Sequence, residues 1–223
     1  MYLPDVPAHV VQRGHNRDPA FFSDGDYRFY LDCLSRALKR YKVRLHAYAL
    51  MTNHVHLLLS PASIDGISKV MSLLGQQYGV YVNSTYRRSG TLWEDRHKAS
   101  IVDAPEYLLK CYRYIELNPV RAGMVRKSED YRWSSYGCHG LQKPDPLIDD
   151  HEIYLGLGET HEARSDQYRA LFESALNNSD LDAIRQSSHY NYPLGNDRFR
   201  EKIEAALERK VGHAKRGRPS RQG

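Results

Sequence analysis

The stretch Ala47-Tyr-Ala-Leu-Met-Thr-Asn-His-Val-His-Leu-Leu-Leu-Ser60 decides how this chain is read. Two β-like runs, 45–50 and 54–60, flank Thr52-Asn53, a pair of residues suited to a tight turn. On a strand, residues two apart share a face, so His54 and His56 project to one side with Cβ atoms roughly 7 Å apart. Val55, Leu57 and Leu59 take the other side, the apolar one expected on a core. A lone histidine on a half-buried strand reads as a hydrogen-bonded surface residue. Two on one face, separated by a bulky apolar residue, read equally as a pair of metal ligands.

Outward from this hairpin, Pro7 and Gly14 bound a first strand over 9–13. Ser23 or Asp24 can cap a helix reaching about residue 41, because Tyr30, Leu31, Leu34, Leu38 and Tyr41 recur at helical spacing. Ile67, Val70, Met71, Leu74, Tyr78 and Tyr81 mark a second helix that starts near Ser63 or Asp65 and ends by 87–90. Residues 92–102 read as one strand or a bent pair, with Glu94 and Asp95 diluting the apolar pattern. Pro105 then opens a third helix, in a first-turn position where proline loses no hydrogen bond. The order β-α-β-β-α-β-α is that of a ferredoxin-like, split βαβ α+β layer, an antiparallel sheet with helices on one face.

The third helix, over 105–117, carries two tyrosines. Leu108, Tyr112 and Ile115 line up at i, i+4 and i+7, which puts Tyr112 in the buried stripe. Tyr114 is turned about 160° from it around the axis. It shares a side with Tyr107, Cys111 and Asn118, and a spacing of four sets the Tyr114 phenol beside the Asn118 carboxamide. Asn followed by Pro is also the pattern of a helix N-cap and its first residue, so Asn118 reads as a cap for 119–122 as well.

At 223 residues the chain holds one well-packed domain and an extension. Its apolar runs fall short of the ~18 residues of a membrane span, and no signal-peptide pattern opens it, so a cytoplasmic location with no membrane partner is expected. Cys33, Cys111 and Cys138 are too scattered for a thiolate cluster and odd in number, which fits reduced thiols. Net charge is +5, yet six basic and no acidic residues lie in 209–223, leaving the first 208 residues at about −1. Any basic groove in the body must therefore come from local placement. We divide the chain into a domain over 1–140, a Pro/Gly-rich linker over 141–161, a helical extension over 162–209 and a basic tail over 210–223. Helices are expected at 162–176, 180–186 and 196–209, docked on the first domain. Lys215-Arg-Gly-Arg-Pro-Ser-Arg221 resembles the core by which AT-hook segments enter the minor groove.

Pro7-Ala-His-Val-Val-Gln-Arg-Gly14, Met51-Thr-Asn-His-Val-His56, Gly90-Thr-Leu-Trp-Glu94 and Arg113-Tyr-Ile-Glu-Leu-Asn-Pro-Val-Arg-Ala-Gly123 together resemble the single-tyrosine transposases, most closely their REP-associated branch. The resemblance covers roughly 7–133 and is looser beyond. It implies the same fold, Tyr114 as nucleophile, and His54, His56 and Asn118 as the metal site. It further implies single-stranded DNA folded as short palindromic hairpins, cut beside a tetranucleotide at the foot. Candidate DNA contacts are Arg13, Arg96, Lys98, Arg121 and, in the tail, Lys215, Arg216 and Arg218, all of which read equally as solvated charges. The long extension points to a monomer.

The residue types suit that chemistry. A phenol attacking a phosphodiester stores the bond as a 5′-phosphotyrosine and frees a 3′-OH, so cleavage and joining become one reversible step. With an ordinary pKa of about 10, a phenol needs a cation near its target. Two imidazoles and an amide oxygen leave positions open for phosphate and water, as Mg²⁺ or Mn²⁺ requires. Zn²⁺ is disfavoured without a thiolate or third imidazole at motif spacing, His97 and His15 being the distant candidates. Two other functions compete: a domesticated hairpin-binding protein that no longer cuts, and a hydrolytic metallo-phosphodiesterase in which Tyr114 is only structural.

Overall fold

The computed structural model describes residues 2–208, 210 and 211. Four antiparallel strands, β1 (Ala8–Arg13), β2 (Val43–Met51), β3 (His54–Pro61) and β4 (Lys98–Ile101), form one sheet in the order β2-β3-β1-β4. Together with helices α1 (Asp24–Tyr41) and α2 (Gly66–Thr85) they make the ferredoxin-like layer expected from the element order. Thr52 and Asn53 are the two turn residues between β2 and β3, pairing Met51 with His54.

Asp26 fixes the start of α1 by accepting from the backbone N–H of Phe22 and Ser23, and it ties α1 to the end of α2 by accepting from the hydroxyls of Tyr81 and Tyr86. Both helices cover one face of the sheet. There Val10, Val55, Leu57 and Leu59 meet Tyr30, Leu34 and Leu38 of α1 and Val70, Leu74 and Tyr78 of α2.

The other face is closed by the rest of the chain. It comprises α3 (Ala104–Glu116), α4 (Asn118–Arg121), α5 (Tyr136–Leu141), α6 (Glu152–Leu155), α7 (His161–Ala170), α8 (Asn178–Tyr190) and α9 (Asp197–Leu207). Ala47, Ala49, Met51 and Leu58 of the sheet pack with Leu108, Tyr112 and Ile115 of α3, Tyr154 of α6, Tyr168 of α7 and Ile184 of α8. The extension thus completes a second core, which its short helices could not form alone. Among the described residues no helix is long and apolar enough to cross a membrane.

Several boundaries differ from the sequence expectation. The strand expected over 92–102 is only Lys98–Ile101, since Glu94 and Asp95 lie in a loop that touches β1 through the Gly14–Trp93 bridge and the bond from Glu94 N–H to the Arg13 carbonyl. The helix expected at 162–176 stops at Ala170, the one at 180–186 runs Asn178–Tyr190, and the last ends at Leu207. Within 141–161, the Pro/Gly-rich stretch, Ile148 bridges to Leu45 and His46 Nδ1 donates to the Asp149 carbonyl at 2.7 Å. Both sheet edges are capped in this way, by 133–135 beside β2 and by Leu194 beside β4, which among the described residues leaves no long open strand to pair with another chain.

The second core is built around a carboxyl group. Glu116, fully buried on α3, accepts from Ser135 Oγ at 2.5 Å, His139 Nδ1 at 2.6 Å and the Tyr168 hydroxyl at 2.7 Å. These bonds lock α3 to α5 and α7. Glu116→Ala leaves His139 Nδ1 and the Tyr168 hydroxyl buried without their acceptor, while Ser135 keeps the Tyr48 backbone, and urea unfolding is expected to show a loss of roughly 3–5 kcal/mol; an unchanged midpoint would contradict this role. His46, buried on β2, has its imidazole pushed down to about 3 by burial. The folded state then binds fewer protons than the unfolded one, so stability is full above pH ~6.5 and declines as pH falls from there toward the folded value. NMR titration should find His46 still neutral at a pH of about 5; a midpoint near 6.5 would refute the assignment.

Candidate active site

The β1–β3 register places Arg13 opposite His54 and Val11 opposite His56, with His9 opposite Leu58. Residues directly opposite in an antiparallel pair share a face, so His9, His54 and His56 all lie on the side closed by α3 and the extension. The rings of His54 and His56 are 5.0 Å apart and nearly perpendicular. His56 is buried and His54 half-buried.

Each imidazole has an assigned partner at Nδ1. His54 Nδ1 is 2.7 Å from Asn53 Oδ1, while Asn53 Nδ2 donates to the Arg17 carbonyl at 2.8 Å, which fixes the amide's orientation. A carboxamide oxygen only accepts, so the His54 proton is on Nδ1 and Nε2 keeps its lone pair. The segment that holds Asn53 is tight. A Cβ on Gly14 would lie 2.4 Å from the Asp18 carbonyl oxygen, and Gly14 N–H bonds the Asn53 carbonyl. His56 Nδ1 faces His9 Nε2 at 2.9 Å.

Burial keeps these imidazoles neutral. It pushes His54 down to about 4, with Arg13 adding to the effect. His9 is pushed to about 3, by burial first and Arg121 second. His56 lies well below the ordinary range through burial, then the neighbouring His9, His54, Arg121 and Arg13. Neutral imidazole is the form that ligates a metal. Two such rings are chemically fitting donors for a divalent ion with open positions, and a carboxamide oxygen such as that of Asn118 is the type of group that would complete the set. Among the described residues no group of three or more His, Cys, Asp or Glu is placed to hold a metal. His97 is instead bonded to the Tyr2 hydroxyl at 2.6 Å, and His15 is exposed in a short 3-10 turn.

Helix α3 decides between the tyrosines. Tyr112 is fully buried, its ring 4.9 Å from His139 and 6.1 Å from Tyr154. Tyr114 is 8% exposed, and its ring meets His56 edge-on at 6.0 Å and His9 at 5.8 Å. The helical arithmetic that turned the two apart therefore delivers one to the second core and the other to the histidines.

Asn118 follows at the start of α4. It makes no capping bond, and the N-cap position belongs to Leu117. Its Nδ2 donates to the Tyr114 carbonyl at 3.1 Å, and its Oδ1 accepts from Arg121 Nη2 at 2.8 Å. Arg121 also donates to the Tyr114 carbonyl at 2.8 Å and lies 4.0 Å over the Tyr114 ring. The amide oxygen thus has one lone pair engaged and one left.

Of the other candidate DNA contacts, Arg13 is exposed beside His54. Lys98 pairs with Val11 across from His56, so it lies on the same face about 10 Å from the histidine strand. Arg96 is exposed in the preceding loop. Lys215, Arg216 and Arg218 lie outside the described residues. Sequence reasoning missed His9, took Asn53 only as a turn residue, and gave no role to Ser188, whose Oγ is 2.9 Å from His9 Nδ1. The alternation of β1 already put His9 on the face of Arg13. Its meeting with His56 required the pairing of β1 with β3.

The profile of the family described as "Transposase IS200 like" matches residues 3–118. A solved structure described as a REP-associated tyrosine transposase bound to a REP hairpin is similar in fold, with a TM-score of 0.56, 15% identity, and coverage of 69% of this chain and 90% of that one. A crystal structure assigned as a transposase of Deinococcus radiodurans R1 matches at 17% identity over 52% of this chain and 92% of its own, with a TM-score of 0.38. No curated protein matches the chain.

Arg121→Ala removes two hydrogen bonds and the cation over Tyr114. A loss of about 1 kcal/mol in urea unfolding is expected, with Arg121→Lys recovering only part because lysine lacks the forked donor; a wild-type midpoint in the alanine variant would show that the contact carries no stability.

Proposed function

Because this chain belongs to the IS200-like transposase family, we propose that it cuts and rejoins single-stranded DNA beside a hairpin, with Tyr114 as nucleophile and His54, His56 and Asn118 holding Mg²⁺ or Mn²⁺. The observation that carries the reading is the Tyr114 ring against His56 at 6.0 Å, while Tyr112, two residues away, is sealed in the core. The hairpin substrate is extended from the REP hairpin bound by the structural neighbour.

The Tyr114 phenol oxygen attacks the phosphorus, and the bond from phosphorus to the 3′ oxygen breaks. The phenol gives up its proton and the departing 3′ oxygen gains one, leaving a 5′-phosphotyrosine and a free 3′-OH. Attack by another 3′-OH runs the step backwards and joins the strands. A divalent ion, when bound, neutralises charge on the phosphate oxygens as the bonds exchange. His54 and His56 serve as neutral donors, which their burial favours. Arg121 orients both the Tyr114 ring and the Asn118 amide through its three contacts.

Arg13, Arg96, Lys98 and Arg121 are the body's contacts to the DNA backbone, joined by Lys215, Arg216 and Arg218 of the tail. The catalytic domain is 1–140, followed by the connection 141–161, the extension 162–209 and the tail. Helix α8 of the same chain reaches the site through Ser188, which supports a monomer as the working unit. DNA as substrate puts the protein with the chromosome in the cytoplasm.

Incubation with a labelled hairpin oligonucleotide and Mn²⁺ should give a protein–DNA adduct that survives boiling in detergent. Tyr114→Phe should abolish the adduct and leave hairpin binding intact, and His54→Ala should cut adduct formation by roughly 100-fold or more. Cleavage that persists in Tyr114→Phe would instead make the protein a hydrolytic phosphodiesterase; binding with no cleavage in the wild type would make it a hairpin-binding protein.

A further inference from the structure

His56 stands at the end of a row of polar groups that begins in the extension. Ser188, on α8, has its Oγ 2.9 Å from His9 Nδ1, and His9 Nε2 is 2.9 Å from His56 Nδ1. His9 is fully buried, and its ring lies nearly parallel to that of His56, at 17° and 5.2 Å between centroids.

A neutral imidazole carries one N–H, so the row has only two self-consistent directions. In one, His56 Nδ1–H donates to His9 Nε2, and His9 Nδ1–H donates to the serine oxygen. His56 Nε2 then keeps its lone pair. In the other, the serine hydroxyl donates to His9, His9 donates to His56, and the His56 proton sits on Nε2, where it blocks a ligand. His54 meets the same requirement locally, through Asn53 and the Arg17 carbonyl. His56 has no such neighbour on its own hairpin and reaches across to β1 and then to α8. Its partner is also a second histidine, which can run either way, so the direction depends on the far end of the row.

We propose that His9 and Ser188 are positioning residues that hold His56 in the tautomer with its proton on Nδ1, so that the extension helps to determine whether the strand can bind a cation. This rests on the reading of His54 and His56 as ligands. It gives α8 a part in the site beyond packing, exerted through the Ser188 hydroxyl on His9. It also accounts for a histidine fully buried between the sheet and the extension, where an apolar residue would pack as well. Outer partners that fix a ligating histidine typically change metal affinity 10- to 100-fold when removed.

The test uses the full chain in four forms: wild type, Ser188→Ala, Ser188→Thr and His9→Asn. Mn²⁺ affinity is measured by calorimetry, and the tautomer of His56 by long-range ¹H–¹⁵N NMR on the metal-free protein, with its signals assigned from their loss in His56→Gln. Wild type should show the His56 proton on Nδ1. Ser188→Ala should weaken Mn²⁺ binding about 3- to 10-fold and His9→Asn about 10- to 100-fold. Ser188→Thr, which keeps the hydroxyl, should restore it. Thermal unfolding of Ser188→Ala within a degree or so of wild type separates this from a merely structural serine. Wild-type affinity in both Ser188→Ala and His9→Asn, or a His56 proton on Nε2 in the wild type, would overturn the inference while the ligand reading stands. Absence of Mn²⁺ binding in the wild type would take down both.

Discussion

The rest of the structure depends on the two-sidedness of strand β3. Its period of two sends Val55, Leu57 and Leu59 into the core under α1 and α2 and sends His54 and His56 the opposite way. Slipping the strand by one residue would bury two imidazoles among aliphatic side chains and push three aliphatic ones toward the polar face. The first core therefore holds the histidines in register. What remains is to cover the second face without drowning it in apolar contact, and α3 with the extension does this. The covering is apolar over Ala47, Ala49, Met51 and Leu58 and polar over the histidines.

Covering a polar face has a cost, and the side-chain partners show how it is met. Buried imidazoles are driven to the neutral form, and each Nδ1 of the pair is matched, His54 by Asn53 and His56 by His9. Glu116, on the same helix as Tyr114, gathers three donors from α5, α7 and the segment leading into them. That buried carboxylate fixes the rotation of α3. The rotation in turn fixes which tyrosine meets the histidines. Stability and site geometry are thus set by the same helix, through residues two positions apart.

Most of this was legible in local sequence pattern. The helical stripes at Tyr30, Leu34, Leu38 and at Val70, Leu74, Tyr78, the hairpin at Thr52-Asn53, and the opposite faces of Tyr112 and Tyr114 all follow from short-range periodicity. The strand over 92–102 was overextended because alternation cannot distinguish a ladder from a loop whose carboxylates face solvent. His9, Ser188 and Glu116 were not legible for a different reason. Each acquires its side-chain partners from segments 19 to 179 positions away, and no spacing rule carries that information. Arg121 was visible as a cation, yet its engagement with Asn118 and Tyr114 arises only because a further helical turn, α4, follows directly after Leu117.

The account turns on one ion site joining a strand and a helix. Anomalous diffraction at the manganese edge, from crystals grown with Mn²⁺ and a hairpin carrying an uncleavable linkage, tests it most directly. The account predicts one strong peak bonded to an imidazole nitrogen of both His54 and His56, with the Tyr114 hydroxyl facing a phosphate on the same ion. A peak held by other residues, or a Tyr114 hydroxyl directed away from the DNA in that complex, would contradict it.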